Sequence, residues 1–85
     1  MSEPDEVVRT IAAEIERYLL QHPDAADSAA GIQAWWLSPL LAAESEAAVL
    51  AALEQLEAGG VVVRTELKGM ATTFSSASRG RKSMH

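Results

Sequence analysis

The sequence predicts an α+β domain, a three-helix bundle followed by a C-terminal β-hairpin, from three observations. Apolar residues recur at three- and four-residue spacing in three successive segments, as in helices that bury one face. The pair Gly59-Gly60 ends the third segment, as glycine commonly does at a helix C-terminus. Beyond it, two β-rich runs flank Lys68-Gly69, which indicates a hairpin.

Length and composition favour one folded domain. The chain has 85 residues, 48% hydrophobic and 22% charged, values typical of a globular protein. It contains no cysteine, which excludes disulfides and thiolate chemistry and agrees with a reducing compartment. The acidic start is unlike a secretory signal, and no apolar run is long enough to span a bilayer. We therefore expect a cytoplasmic protein without membrane contact.

The first helix is predicted from a cap at Ser2, with Pro4 in its first turn, to about Gln21. Pro23 then stops it, because the residue before a proline disfavours helical geometry. The predicted buried stripe comprises Val8, Ile11, Ile15, Tyr18 and Leu19.

A second helix of about ten residues is predicted after a cap at Asp27 or Ser28, ending at Ser38-Pro39. Its spacing places Ile32, Trp35 and Trp36 on one face. A domain this small seldom buries two adjacent indoles completely, so we expect one tryptophan in the core and the other partly exposed. Residues 40–43 form a short link to which the pattern assigns no structure.

The third helix is predicted from Ser45 to about Ala58. A helical projection gives a core stripe of Val49, Leu50, Leu53 and Leu56. The opposite face then carries Glu44, Ala48, Ala51, Gln55 and Ala58, with Ala47 beside it, and the helix has no Lys or Arg.

The hairpin register follows from the length of the turn. A two-residue Lys68-Gly69 turn would pair Leu67 with Met70, Thr65 with Thr72, and Val63 with Phe74. That register puts the large apolar side chains on one face. A three-residue turn would instead pair Arg64 with Phe74 and lose this burial, so we expect the first register. The domain should comprise residues 1–77, followed by a flexible basic tail at 78–85.

Charge divides the chain into an acidic body and a basic end. Residues 1–60 hold eleven acids against Arg9 and Arg17, giving −9, and residues 61–85 give +4. Such a tail is consistent with nucleic-acid binding or with a solvated terminus.

Sites for chemistry are not indicated. His22, Asp24 and Asp27 could form only a weak metal-ligand set, and a capping or solvated cluster accounts for them better. The serines near Ser75 have no base beside them in the pattern, and no phosphate-binding glycine motif occurs. We expect neither enzymatic activity nor a cofactor, metal or small-molecule substrate.

Residues 49–64, VLAALEQLEAGGVVVR, resemble the segment of many bacterial winged-helix proteins in which the recognition helix leads into the wing. The resemblance, over roughly residues 5–76, implies a winged-helix fold. The helix from Ser45 to Ala58 would then match the one that DNA-binding members place in the major groove, and Lys68-Gly69 the wing tip.

Two hypotheses follow for the function. The first is protein interaction or self-association, because an acidic helix opposes DNA and offers Gln55 almost alone as a base reader. Its candidate residues are Trp35, Trp36, Glu44, Ala48, Ala51 and Gln55. The alternative is a DNA-binding regulator that contacts phosphates. Its candidate residues are Arg64, Lys68, Arg79, Arg81 and Lys82.

Overall fold

The computed structural model describes residues 5–77 and shows an α+β domain, as predicted. The predictions for Ser2, Pro4 and residues 78–85 fall outside this range. The elements, in chain order, are α1 (Asp5–Gln21), β1 (Ala26–Asp27), α2 (Ala29–Gly31) running directly into a π-helical segment (Ile32–Trp36), α3 (Pro39–Ala42), α4 (Glu46–Ala58), β2 (Val62–Thr65) and β3 (Thr73–Ser76).

The core lies between α1 and α4, which pack against each other. Ile11 and Ile15 from α1 and Val49 and Leu53 from α4 have no exposed surface. The predicted stripe of α1 is confirmed, with Tyr18 only half-buried at its margin. The amphipathic period of α1 therefore determines which face of this helix meets the rest of the domain.

The buried face of α4 is rotated about the helix axis from the face that the sequence predicts. Ala48 and Ala52 are buried, whereas Leu50 is 40% exposed. The assignments of Ala48 to the outer face and Leu50 to the core were therefore wrong. Small side chains at positions 48 and 52 allow neighbouring elements to approach this face of the helix closely.

The middle segment begins as predicted and then departs from α-helical geometry. Ser28 is the N-cap of α2, its hydroxyl accepting a hydrogen bond from the Gly31 amide at 3.2 Å. In the π-helical segment each residue advances less around the axis than in an α-helix. Counted from the buried Ile32, this smaller advance brings Trp36, four residues on, back to the core side, whereas Trp35 stays outside and is 78% exposed. The prediction of one tryptophan inside and one outside is confirmed, but that of a shared face is wrong.

Two short elements were not predicted. The strand β1 pairs antiparallel with β3, Ala26 opposite Ser75 and Asp27 opposite Phe74, which makes a three-stranded sheet of order β1-β3-β2. A strand of two residues shows no alternation, so its own sequence does not reveal it. The helix α3 occupies the link left unassigned and starts with Pro39 after Ser38.

The pair Gly59-Gly60, here called the glycine stop, joins α4 to the sheet. The Val61 amide donates to the Leu56 carbonyl at 2.8 Å and the Gly60 amide to the Glu57 carbonyl at 3.1 Å. Gly60 has φ of 78°. This pairing with a left-handed glycine is the Schellman arrangement. It directs the chain so that Val62 enters the core, where it is 2% exposed.

The hairpin has the register that the sequence disfavoured. Arg64 lies opposite Phe74 and Thr65 opposite Thr73, so the predicted pairs Val63 with Phe74 and Thr65 with Thr72 are wrong. The predicted turn at Lys68-Gly69 does form and joins Leu67 to Met70 by a hydrogen bond, but it lies outside the strands. Residues 66–72 form a longer loop.

The turn chemistry explains this register. The Met70 amide donates to the Leu67 carbonyl at 3.0 Å, and only Gly69 of the two central residues has positive φ, at 79°. A lysine adopts the positive φ that a two-residue hairpin turn requires at its first central position only at a cost. The chain therefore forms a turn with positive φ at its second central residue alone, and the strands separate before it.

Replacing Leu53 by alanine should lower the free energy of unfolding by about 2 to 5 kcal/mol, because it leaves a cavity in the core. Leu50→Ala, on the same helix but 40% exposed, should cost well under half of that. Urea denaturation of both variants checks the rotation of α4. Equal losses at the two positions would contradict it.

Gly60→Ala should destabilise the domain by about 1 kcal/mol, because an L-residue is strained at this positive φ. Gly59 has φ of −84° and a carbonyl 3.4 Å from an added Cβ, so Gly59→Ala should be close to neutral. Thermal melts of the two variants provide the comparison. A larger loss at Gly59 would show that the turn is misassigned.

Candidate functional site

Two of the three most exposed large apolar side chains in the described residues lie on the segment between β1 and α4. Trp35 is 78% exposed and Leu40 77% exposed. Ala34 and Pro39, beside them in the chain, are exposed as well. We call these four residues the Trp35 patch. No charged residue lies between Asp27 and Glu44, so the patch sits in an uncharged stretch of chain.

The patch is mounted on an anchored segment. Trp36 stacks on Tyr18 of α1, with ring centroids 4.5 Å apart and planes at 11°. The Ser38 amide donates to the Glu14 carboxylate at 3.2 Å. These contacts fix the backbone on both sides of Leu37, so Trp35 projects outward from a segment held against α1.

A side-chain amide closes the other end of this segment. Gln33 Nε2 donates to the carbonyls of Ala42, at 3.2 Å, and Glu44. It thereby ties the π-helical segment to the link between α3 and α4. π-Helical turns are rare in proteins, but those that occur are often found at functional sites. Here the segment contains both the exposed Trp35 and the buried Trp36.

The two large residues of the patch are close enough to serve one interface. Leu40 is five positions after Trp35, which limits their Cα separation to about 18 Å. A stable protein interface covers roughly 800 Å² on each partner, a disc about 30 Å across. One partner could therefore cover both side chains.

The structure divides the predicted interaction residues between core and surface. Trp36 and Ala48 are buried, which leaves little of either side chain for a partner to contact in this conformation. Gln55 is exposed, whereas Ala51 and Glu44 are half-buried. The exposed alanine row predicted along α4 is thus interrupted at Ala48, with Ala47 and Ala58 remaining on the surface.

Sequence reasoning missed Leu40. The serine and proline that start α3 form a recognisable helix N-terminus, and that signal could have placed Leu40 on a helical turn. The sequence does not show which of the adjacent residues Leu40 and Leu41 faces solvent. In the structure Leu41 packs against the core and Leu40 does not.

The stretch of sequence that contains the patch has acidic residues but no basic ones. No Lys or Arg occurs between Arg17 and Arg64, while Asp24, Asp27, Glu44, Glu46, Glu54 and Glu57 do. Glu46 and Glu54 are exposed on α4. The helix predicted to face DNA therefore presents carboxylates without cations of its own.

Arg64, one of the candidate phosphate contacts, is already engaged. Its guanidinium lies 3.0 Å from the Glu57 carboxylate and 3.7 Å from that of Glu66. The hydrogen bond and ion pair with Glu57 raise the pKa of Arg64 above its usual value. The guanidinium also lies 5.4 Å from the centroid of the Phe74 ring. Lys68 is exposed in the loop, and Arg79, Arg81 and Lys82 lie outside the described residues.

Two shallow clefts flank α1. One, of about 220 Å³, is lined mainly by Leu19, Leu20, Pro23 and Val61. The other, of about 300 Å³, adjoins Tyr18 and Trp36. Both are at or below the lower limit for pockets that enclose a small molecule.

Among the described side chains, residues 6–77, no group of three or more histidine, aspartate or glutamate residues converges as metal ligands would. The Asp27 carboxylate instead accepts a hydrogen bond from the Ser28 amide at 2.8 Å. In the same range, no helix combines the length and the apolar character needed to cross a bilayer.

Comparison with protein-family models, with curated proteins and with solved structures found no match to this chain.

Proposed function

We propose that this protein is a small interaction module of winged-helix fold that binds another protein through the Trp35 patch. The observation that carries the proposal is the exposure of Trp35, 78% in a domain that buries the adjacent Trp36. An indole held outward on an anchored segment is a ready contact for a partner.

The energetics favour use of this side chain in binding. Covering an indole removes about 150 to 250 Å² from water, worth roughly 4 to 6 kcal/mol before the costs of association. Tryptophan is also enriched among the residues that dominate binding energy at interfaces. Because the segment is held by Trp36, Ser38 and Gln33, little conformational entropy is lost on docking.

The winged-helix fold is supported by the order of the elements. Three main helical segments precede the hairpin, and the hairpin joins a sheet with the short strand that follows α1. In this fold α4 corresponds to the recognition helix. Its exposed residues include Glu46, Glu54 and Gln55, which suit a protein partner better than the phosphates of DNA.

The double variant Trp35→Ala, Leu40→Ala should lose a partner that the wild-type protein retains. Affinity capture from the cells that produce the protein, with quantitative mass spectrometry, measures this. Both side chains are more than three-quarters exposed, so the variant should keep its circular dichroism spectrum and melting temperature.

Leu20→Ala is the matched control, because Leu20 is 77% exposed on α1 and outside the patch. It should retain the partner at the wild-type level. Equal loss from both variants, or no protein that distinguishes them, would overturn the assignment of the patch.

Ala51→Arg should separate protein docking from DNA binding by the sign of its effect. An arginine on α4 would add a phosphate-seeking charge and strengthen DNA association, but would hold a protein partner away from the helix. We expect Ala51→Arg to lose the captured protein. We expect the wild type to bind duplex DNA negligibly at physiological salt. Ala13→Arg, at an exposed position of α1, adds the same charge as a control. Tight duplex binding by the wild type, weakened in Gln55→Ala, would favour the DNA-binding regulator.

A further inference from the structure

The charge around the Trp35 patch restricts the partner that can cover it. Glu44 and Glu46 follow Leu40 by four and six residues. Their Cα atoms therefore lie within about 14 and 22 Å of that of Leu40. Gln33, two residues before Trp35, donates its side-chain amide to the Glu44 carbonyl, so the chain at Glu44 returns beside the segment that carries the patch.

These carboxylates are not neutralised within the protein as described. The ion pairs among the described side chains, residues 6–77, all belong to Arg64, with Glu57 and Glu66 as its partners. Glu46 is exposed and Glu44 half-buried. The two carboxylates that follow the patch in the chain thus have no cationic partner among the described residues.

We infer, building on the proposed docking function, that the partner is a protein surface with an apolar centre and a rim of lysine or arginine. The apolar centre covers Trp35 and Leu40, and the basic rim faces Glu44 and Glu46. Rim charges of this kind act mainly on the association rate and on its salt dependence.

The same charges disfavour three other partners for the patch: a second copy of the chain, an anionic bilayer and nucleic acid. A second copy would bring its own Glu44 and Glu46 to a two-fold contact, where they repel. An anionic bilayer and nucleic acid are repelled likewise. A cationic protein surface is the occupant that the charges favour.

Two synthetic helical peptides of equal length test the inference. Both carry leucines along one face; one has lysines flanking that face and the other has glutamates. Fluorescence anisotropy of the labelled peptides with the full-length protein should show binding of the lysine peptide only. Binding should weaken as sodium chloride rises from 20 to 200 mM, about the range over which surface charges become screened.

The variant Glu44→Gln, Glu46→Gln should weaken binding of the lysine peptide about 3- to 10-fold, as expected for two exposed charge pairs. Glu16→Gln, Glu66→Gln removes the same charge from α1 and the hairpin loop and should weaken it less than 2-fold. Preference for the glutamate peptide, or equal effects of the two double variants, would overturn the inference.

Failure of the proposed function gives a different result. Binding of the lysine peptide that is unchanged in Trp35→Ala, Leu40→Ala would remove the docking function itself. Binding that needs Trp35 and Leu40 but ignores Glu44 and Glu46 would remove only the basic rim. Sedimentation velocity and flotation with phosphatidylserine vesicles complete the test. A dimer or vesicle binding that depends on Trp35 would also overturn the inference.

Discussion

The packing of α1 against α4 is the contact on which the other elements depend. Ile11, Ile15 and Leu53 meet there without solvent exposure. The π-helical segment packs on α1, and α2 and β2 pack on α4. Because one core must serve every element in a domain of 85 residues, a side chain that does not reach it stays outside. Trp36 reaches the core beside Tyr18, and Trp35 does not. The candidate site is thus a consequence of how the core closes.

Local sequence signals predicted the features that depend on local physics. The stripe of α1, the cap at Ser28 and the glycine stop were all readable because each rests on spacing or on one residue's conformational preference. The features missed depend on distant partners. The strand β1 exists only through its pairing with β3. The rotation of α4 depends on which neighbours approach Ala48, and a helical projection does not contain that information.

The hairpin register shows how a local rule can be outweighed. Burial of Val63 opposite Phe74 favoured one register, but the turn at Gly60 sends Val62 inward. Arg64 then lies opposite Phe74 in the antiparallel pairing of β2 with β3. Its guanidinium covers the ring and pairs with Glu57, so Phe74 remains buried beneath a cation. The same arrangement occupies a residue that the DNA-binding hypothesis required. The sequence likewise indicated that one tryptophan would be available at the surface, but not that Leu40 would stand near it.

The most direct test of the account is to identify what touches the patch in the cell. A photo-crosslinking amino acid at position 34, an exposed alanine beside Trp35, should form a covalent product with a partner protein, whereas the same group at position 13 on the outer face of α1 should not. Peptide mapping should place the crosslink on an apolar surface bordered by lysine or arginine. Crosslinking to nucleic acid, to a second copy of the chain, or equally from both positions would contradict the account.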